Sequence, residues 1–213
     1  MSYQPIENYG IIGDLHTVAL IGMNGSVDFM CVPHFDSPTV FAALLDRRKG
    51  GRFQIAPQLD DARQKQLYLP DTNVLLTRFL SSDGVAEISD FMPVEEKTHA
   101  HTLVRRTKTV RGEVRFRMVC APRFDYARAP HRVEAKTGEV LFISLGEDRA
   151  ALRLRTEVPV RVDDGTAVAE FTLRAGQTAA FILEEAREGT ESPSGAPGYV
   201  SQAFKDTVNF WRR

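Results

Sequence analysis

Residues 113–120 read EVRFRMVC, and in that octet Val114, Phe116, Met118 and Cys120 alternate with Glu113, Arg115 and Arg117. Successive side chains of a strand point to opposite faces, so the run predicts a half-buried strand with its apolar set inward. The same period recurs at 151–158, with Leu152, Leu154, Thr156 and Val158 inward against Arg153, Arg155 and Glu157. It recurs again at 169–174, where Ala169, Phe171 and Leu173 face in. Between such runs stand Asn24-Gly25, Asp83-Gly84, Thr137-Gly138 and Asp164-Gly165, pairs that reach positive φ at low cost and favour tight hairpins. Short alternating runs, recurrent turns and few helical stretches give an all-β class, mainly antiparallel and stacked as a large β-sandwich.

Two segments depart from that period. Residues 37–46 predict one short early helix, because Ser37 can cap it, Pro38 suits its first turn, and Val40, Phe41, Leu44 and Leu45 form an apolar stripe. Residues 199–213 predict a C-terminal helix, with Val200, Phe204, Val208 and Trp211 at spacings of three and four. The polar stretch between, EGTESPSGAPG at 188–198, reads as a linker. The expected organisation is therefore a β domain over 1–187, a linker over 188–198 and the start of a linker helix over 199–213. With no partner for it in the sequence, the stripe of the last helix reads as an unpaired face, and Phe204, Val208 and Trp211 as packing residues toward a further domain.

Composition narrows the function. A length of 213 residues suits one sandwich, which runs to roughly 200–250 residues. Hydrophobic residues at 43% and charged residues at 26% are ordinary for a globular core. The 27 basic and 28 acidic side chains nearly cancel, which argues against nucleic acid and against an anionic membrane surface as partners. No apolar run approaches the roughly 20 residues of a membrane span, and the first ten lack the basic start of a secretory signal, so the cytoplasm is the expected compartment. Cys31 and Cys120 sit in apolar runs and read as core residues rather than a disulfide.

Chemistry-bearing residues are densest at 11–46, where Asp14, His16, Asp28, His34 and Asp36 offer either an acid–base set or metal ligands. Aspartates beside Gly and before Ser-Pro are also common turn and cap formers, and that structural reading is the preferred one. His99 and His101, two apart, would share a face of a strand, but an exposed loop pair is expected and neither a metal site nor a cofactor is. The arginines from Arg105 to Arg132 alternate with apolar residues and read as the solvated face of a sheet. No two carboxyl groups can be nominated for glycoside hydrolysis, which needs a pair about 5–10 Å apart across the scissile bond.

Five blocks are familiar together: IENYGIIGDLHTVALIGMNGSVDF at 6–29, VPHFDSPTVFAALLD at 32–46, TNVLLTRFLSSDGVAEISDFMPV at 72–94, CAPRFDYARAPH at 120–131 and DTVNFWRR at 206–213. In order and spacing the chain resembles the N-terminal region of trehalase-like and glucoamylase-like proteins in family fifteen of the glycoside hydrolases. Phe29 stands where many relatives have Trp, and His34 where many have Arg. The resemblance implies a supersandwich of the galactose-mutarotase-like kind, joined by linker helices to a barrel of paired helices that holds both catalytic glutamates. It implies no catalytic residue in this chain, and an α-glucoside such as trehalose or a maltooligosaccharide as substrate of the barrel. Asp14, Thr17, His34, Phe35 and Asp36, in turn-rich sequence, are the candidates for shaping the sugar pocket. A stand-alone carbohydrate-binding module and a mutarotase-type enzyme are the competing classes.

Overall fold

A computed structural model describes residues 3–94, 101–147, 149–186 and 193–213. Its strands, in chain order, are β1 (Tyr9–Gly13), β2 (Val18–Gly22), β3 (Ser26–Cys31), β4 (Thr39–Phe41), β5 (Arg52–Pro57), β6 (Arg63–Tyr68), β7 (Leu75–Leu80) and β8 (Gly84–Phe91). They continue with β9 (Thr102–Ala121), β10 (His131–Lys136), β11 (Glu139–Ser144), β12 (Ala151–Arg155), β13 (Arg161–Asp163), β14 (Thr166–Arg174) and β15 (Thr178–Glu185). All the pairings among them are antiparallel.

The 20-residue β9 is the spine. Its first half pairs with β8 and β15, leading to β7 and β6 on one side and to β12, β11 and β10 on the other. Its second half pairs with β14 and β5, and β5 leads through β3 to β2 and β1. The change of partners falls at Gly112, whose φ of +78° suits glycine and whose missing Cβ lets Asp83 O approach to 2.5 Å of where one would stand. Residues 113–120 lie in the second half, and Val114, Phe116, Met118 and Cys120 are all buried there, as the alternation predicts.

Both halves of β9 feed one apolar core. Ile12, Ile21, Phe41, Phe53 and Phe116 from one half meet Phe79, Ile88, Leu103, Phe142 and Phe181 from the other. Each such side chain contributes about 1.5–3 kcal/mol by leaving water. Polar ties join the halves as well: Tyr68 Oη donates to Ile11 O (2.9 Å) and accepts from Ile11 N (2.8 Å), and Asn73 bonds Gly13 N (2.7 Å) and Ile11 O (3.1 Å). Cys31 and Cys120 are free and buried. No helix among the described residues is long and apolar enough to cross a membrane.

Four expectations need correction. The early helix over 37–46 is absent: Thr39–Phe41 is strand β4, pairing Met30 with Phe41 and Cys31 with Thr39. A β-branched and aromatic trio gains more from a neighbouring strand than a single helical turn gains from its own hydrogen bonds. The turn that follows is closed by Asp46 Oδ1, which accepts from Arg48 N (2.8 Å) and Lys49 N (3.0 Å).

Arg105 is not on a solvated face. It is fully buried, while Arg111, Arg115 and Arg117 are exposed as expected. Its Nε donates to Asp90 Oδ1 (2.8 Å), Nη2 to Asp90 Oδ2 (3.2 Å) and Gly25 O (2.8 Å), and Nη1 to Phe53 O (2.5 Å). The guanidinium also lies 4.9 Å from the centre of the Phe53 ring. Gly25 has φ +75°, and any Cβ on it would meet Ile55 O at 2.2 Å, so the Asn24-Gly25 turn approaches this charge only as glycine.

The C-terminal helix spans Tyr199–Trp211, but three of the four residues of its stripe are covered. Val200, Phe204 and Val208 pack with Leu76, Phe91, Val104 and Ile182 of the β7–β8–β9–β15 face. Phe204 meets Phe91 edge-on at 5.5 Å, and Arg106 lies over its ring at 4.9 Å. The first half of β9 is thus buried on both faces. Of the expected linker, 188–192 lies outside the described residues, while Pro193–Gly195 forms a short 3-10 turn with Ser194 buried. The fourth correction, at His101, belongs to the site below.

Candidate functional site

The turn from β1 to β2 is built on Asp14. Its Oδ1 accepts from His16 N (3.0 Å) and Thr17 N (2.8 Å), an Asx-type turn. Thr17 Oγ1 then donates to Cys31 O (2.5 Å), tying this turn to the end of β3. The next loop docks on the same turn, since Phe35 N donates to His16 O (3.0 Å) and Ser37 Oγ accepts from His34 N (3.1 Å). Sequence neighbours Asp14–Thr17 and His34–Asp36 thereby become spatial neighbours.

His101 joins them from 87 residues away, its Nδ1 lying 2.7 Å from Asp14 Oδ2. Asp14 is 3% exposed and His101 4%, so this imidazole is a buried partner rather than an exposed loop residue. Its expected companion, His99, lies outside the described residues. The ring centres of His16, His34 and His101 are 5.5, 5.9 and 6.3 Å apart. Ligand atoms of Asp14, His16 and His101 all lie within 4.8 Å of one another, so these residues can hold a metal ion. Burial alone pushes the Asp14 carboxyl upward, but the hydrogen bonds from His101, Thr17 and His16 outweigh it and keep its pKa below the usual carboxylate value.

The cluster is sealed on one side and open on the other. Asp14, Thr17 and His101 are buried, while His16, His34, Phe35 and Asp36 are exposed, Phe35 at 71%. A groove of about 1010 Å³ begins beside this loop, between Pro33, Ser37 and Pro38 and the strands carrying Leu141, Ile143 and Arg153. The buried acid–imidazole pair is not part of its wall. Asp28, another sequence candidate, is engaged apart from the cluster by Tyr9 Oη (2.8 Å) and Ser26 Oγ (2.5 Å). His101 is the site residue that sequence reading placed wrongly, since nothing local to it points to Asp14.

An antiparallel β domain with a polar, aromatic rim formed by its first loops is the class that this architecture defines. Comparison with known proteins makes it specific: residues 1–209 match the family described as "Trehalase-like, N-terminal", and the chain belongs to that family. It is 37% identical over 203 residues to Trehalase 1 of Sulfolobus acidocaldarius, covering 95% of this chain and 33% of that protein. It is 29% identical over 238 residues to the trehalase of Mycolicibacterium smegmatis, covering 97% and 35%. A bacterial glucoamylase solved with acarbose shares the fold at a TM-score of 0.64 and 10% identity, covering 95% of this chain and 36% of its own. The chain spans about a third of the length of these relatives. It corresponds to the N-terminal part of longer trehalase-like proteins.

Proposed function

We propose that this domain completes an inverting α-glucoside hydrolase of the trehalase type, packing on a catalytic barrel of paired helices and lending its first loops to the rim of the sugar site. The two halves of the sheet then form the supersandwich of the glucoamylase-like proteins, with the β domain over 1–187, the linker over 188–198 and the connecting helix from 199. In this reading His34, Phe35 and Asp36 reach toward the sugar, while Asp14 and Thr17 hold the loop that presents them. The observation that carries it is the exposed Phe35 fixed beside two exposed imidazoles by its own backbone bond to His16, since an aromatic face with flanking hydrogen-bonding groups suits a sugar ring.

The packing role falls mainly to Trp211. Phe204 and Val208 are occupied by the β domain itself, but the buried indole Nε1 of Trp211 has no acceptor among the described residues. That atom is already covered by this chain, so the surface offered to a further domain is the part of the indole ring that stays exposed at the end of the helix. The cytoplasm is the proposed compartment and no cofactor is needed for the hydrolysis.

The test is trehalose and maltose hydrolysis by the 213-residue chain and by the longer protein carrying it. Activity in the longer protein alone supports the reading; turnover by the chain itself would overturn it. Saturable trehalose binding by the chain alone would favour the carbohydrate-binding module instead, for which Phe35 is again the exposed aromatic.

A further inference from the structure

We propose that His16, His34 and His101 bind one divalent transition-metal ion of the zinc class, with Asp14 orienting His101. The inference shares His34 with the sugar-rim reading but does not depend on it, and it rests on four features of the cluster.

The first is tautomer control. Asp14 as a carboxylate only accepts hydrogen bonds, so the 2.7 Å contact places the proton of His101 on Nδ1 and the lone pair on Nε2. A metal-binding imidazole commonly donates its other N–H to a carboxylate in this way. The Nδ1 of His16, 3.3 Å from the carbonyl oxygen of Asp14, is directed by the same residue.

The second is spacing. With a zinc–nitrogen bond of about 2.0–2.1 Å and tetrahedral angles, the centres of two ligating imidazoles stand about 5 Å apart. The observed 5.5, 5.9 and 6.3 Å form a triangle slightly wider than that. Contraction is easy, because His34 is exposed and free to turn about its side-chain bonds.

The third is ligand type. Three imidazoles suit zinc, cobalt and nickel, whereas magnesium and calcium select oxygen. The fourth is access. With His101 buried behind them and His16 and His34 facing water, an ion enters from the solvent side and keeps a position open for water or another oxygen ligand.

The experiment uses the chain stripped with EDTA, desalted and titrated with zinc chloride by calorimetry. The expected result is one ion per chain with a Kd on the order of micromolar. His16→Gln and His34→Gln, both at exposed positions, each weaken binding by about tenfold or more. Cobalt(II) bound at the site gives visible d–d absorption that changes in both variants. Absence of zinc binding up to about 1 mM overturns the proposal. So does binding of equal strength in the double variant His16→Gln/His34→Gln, which would put the ion elsewhere, or a preference for magnesium.

Discussion

Two buried polar pairs join distant parts of this domain, and they are built in opposite ways. Arg105 and Asp90 face each other across β8 and β9, are both fully buried, and use further donors on the carbonyls of Phe53 and Gly25. Asp14 and His101 are nearly as buried, but they sit under exposed His16 and His34 at the edge of the fold. The first arrangement is closed: its bonds hold the Asn24-Gly25 turn and β5 to the first half of β9. The second is open, with neighbours turned to water. A closed pair secures the layers; an open one offers chemistry.

The strongest way to break this contrast is at the closed pair. Arg105→Ala leaves the Asp90 charge buried without a partner, and urea denaturation should show a loss of about 3–5 kcal/mol. Replacing both residues together, as Arg105→Met/Asp90→Leu, should cost much less; an equal cost would mean that packing rather than charge pairing dominates there.

At the open pair the loss should be smaller. Asp14→Asn keeps the volume but weakens the bonds to His101, His16 and Thr17, for an expected loss of about 1–3 kcal/mol in the same assay. If it equalled that of Arg105→Ala, the rim would be as structural as the core.

A third test lies at the other end of β1 from the rim, at Tyr9. Burial first, then the hydrogen bond to Asp28 and the charge of Asp28, push the phenol well above its ordinary value. A raised folded pKa means the neutral phenol stabilises the fold, fully so below the unfolded value of about 10, with the contribution lost as pH rises beyond it. The stability gap between the native chain and Tyr9→Phe should therefore narrow from about pH 10 upward. A gap that stays constant to pH 11 contradicts the assignment. The smallest effect belongs to Phe35→Ala, whose exposure predicts a change within about 0.5 kcal/mol.

Much of this fold is legible in the sequence, and the misses have physical causes. Residues 113–120 announce their strand because one face is buried and the other wet. The first half of β9 gives no such alternation: Leu103 faces the main core while Val104 meets the C-terminal helix, so neighbours on both faces are apolar. Val40 and Phe41 have a spacing that fits a helical stripe and a buried strand alike, and only β3 decides between them. The stripe of the last helix was visible, its partner surface was not. At the site, the Asx turn of Asp14 and the turn at His34–Asp36 are local in sequence and readable there. The bond from Asp14 to His101 is not, because a contact across 87 residues leaves no local periodicity.

The central claim is that the exposed loop at His34–Asp36 serves the substrate, while the closed Arg105–Asp90 pair serves the fold. Steady-state kinetics on trehalose, in the longer protein, with Phe35→Ala and Asp36→Ala, tests this most directly. The account predicts kcat/KM lowered by about tenfold or more, with the melting temperature unchanged. Native kcat/KM in both variants would contradict it.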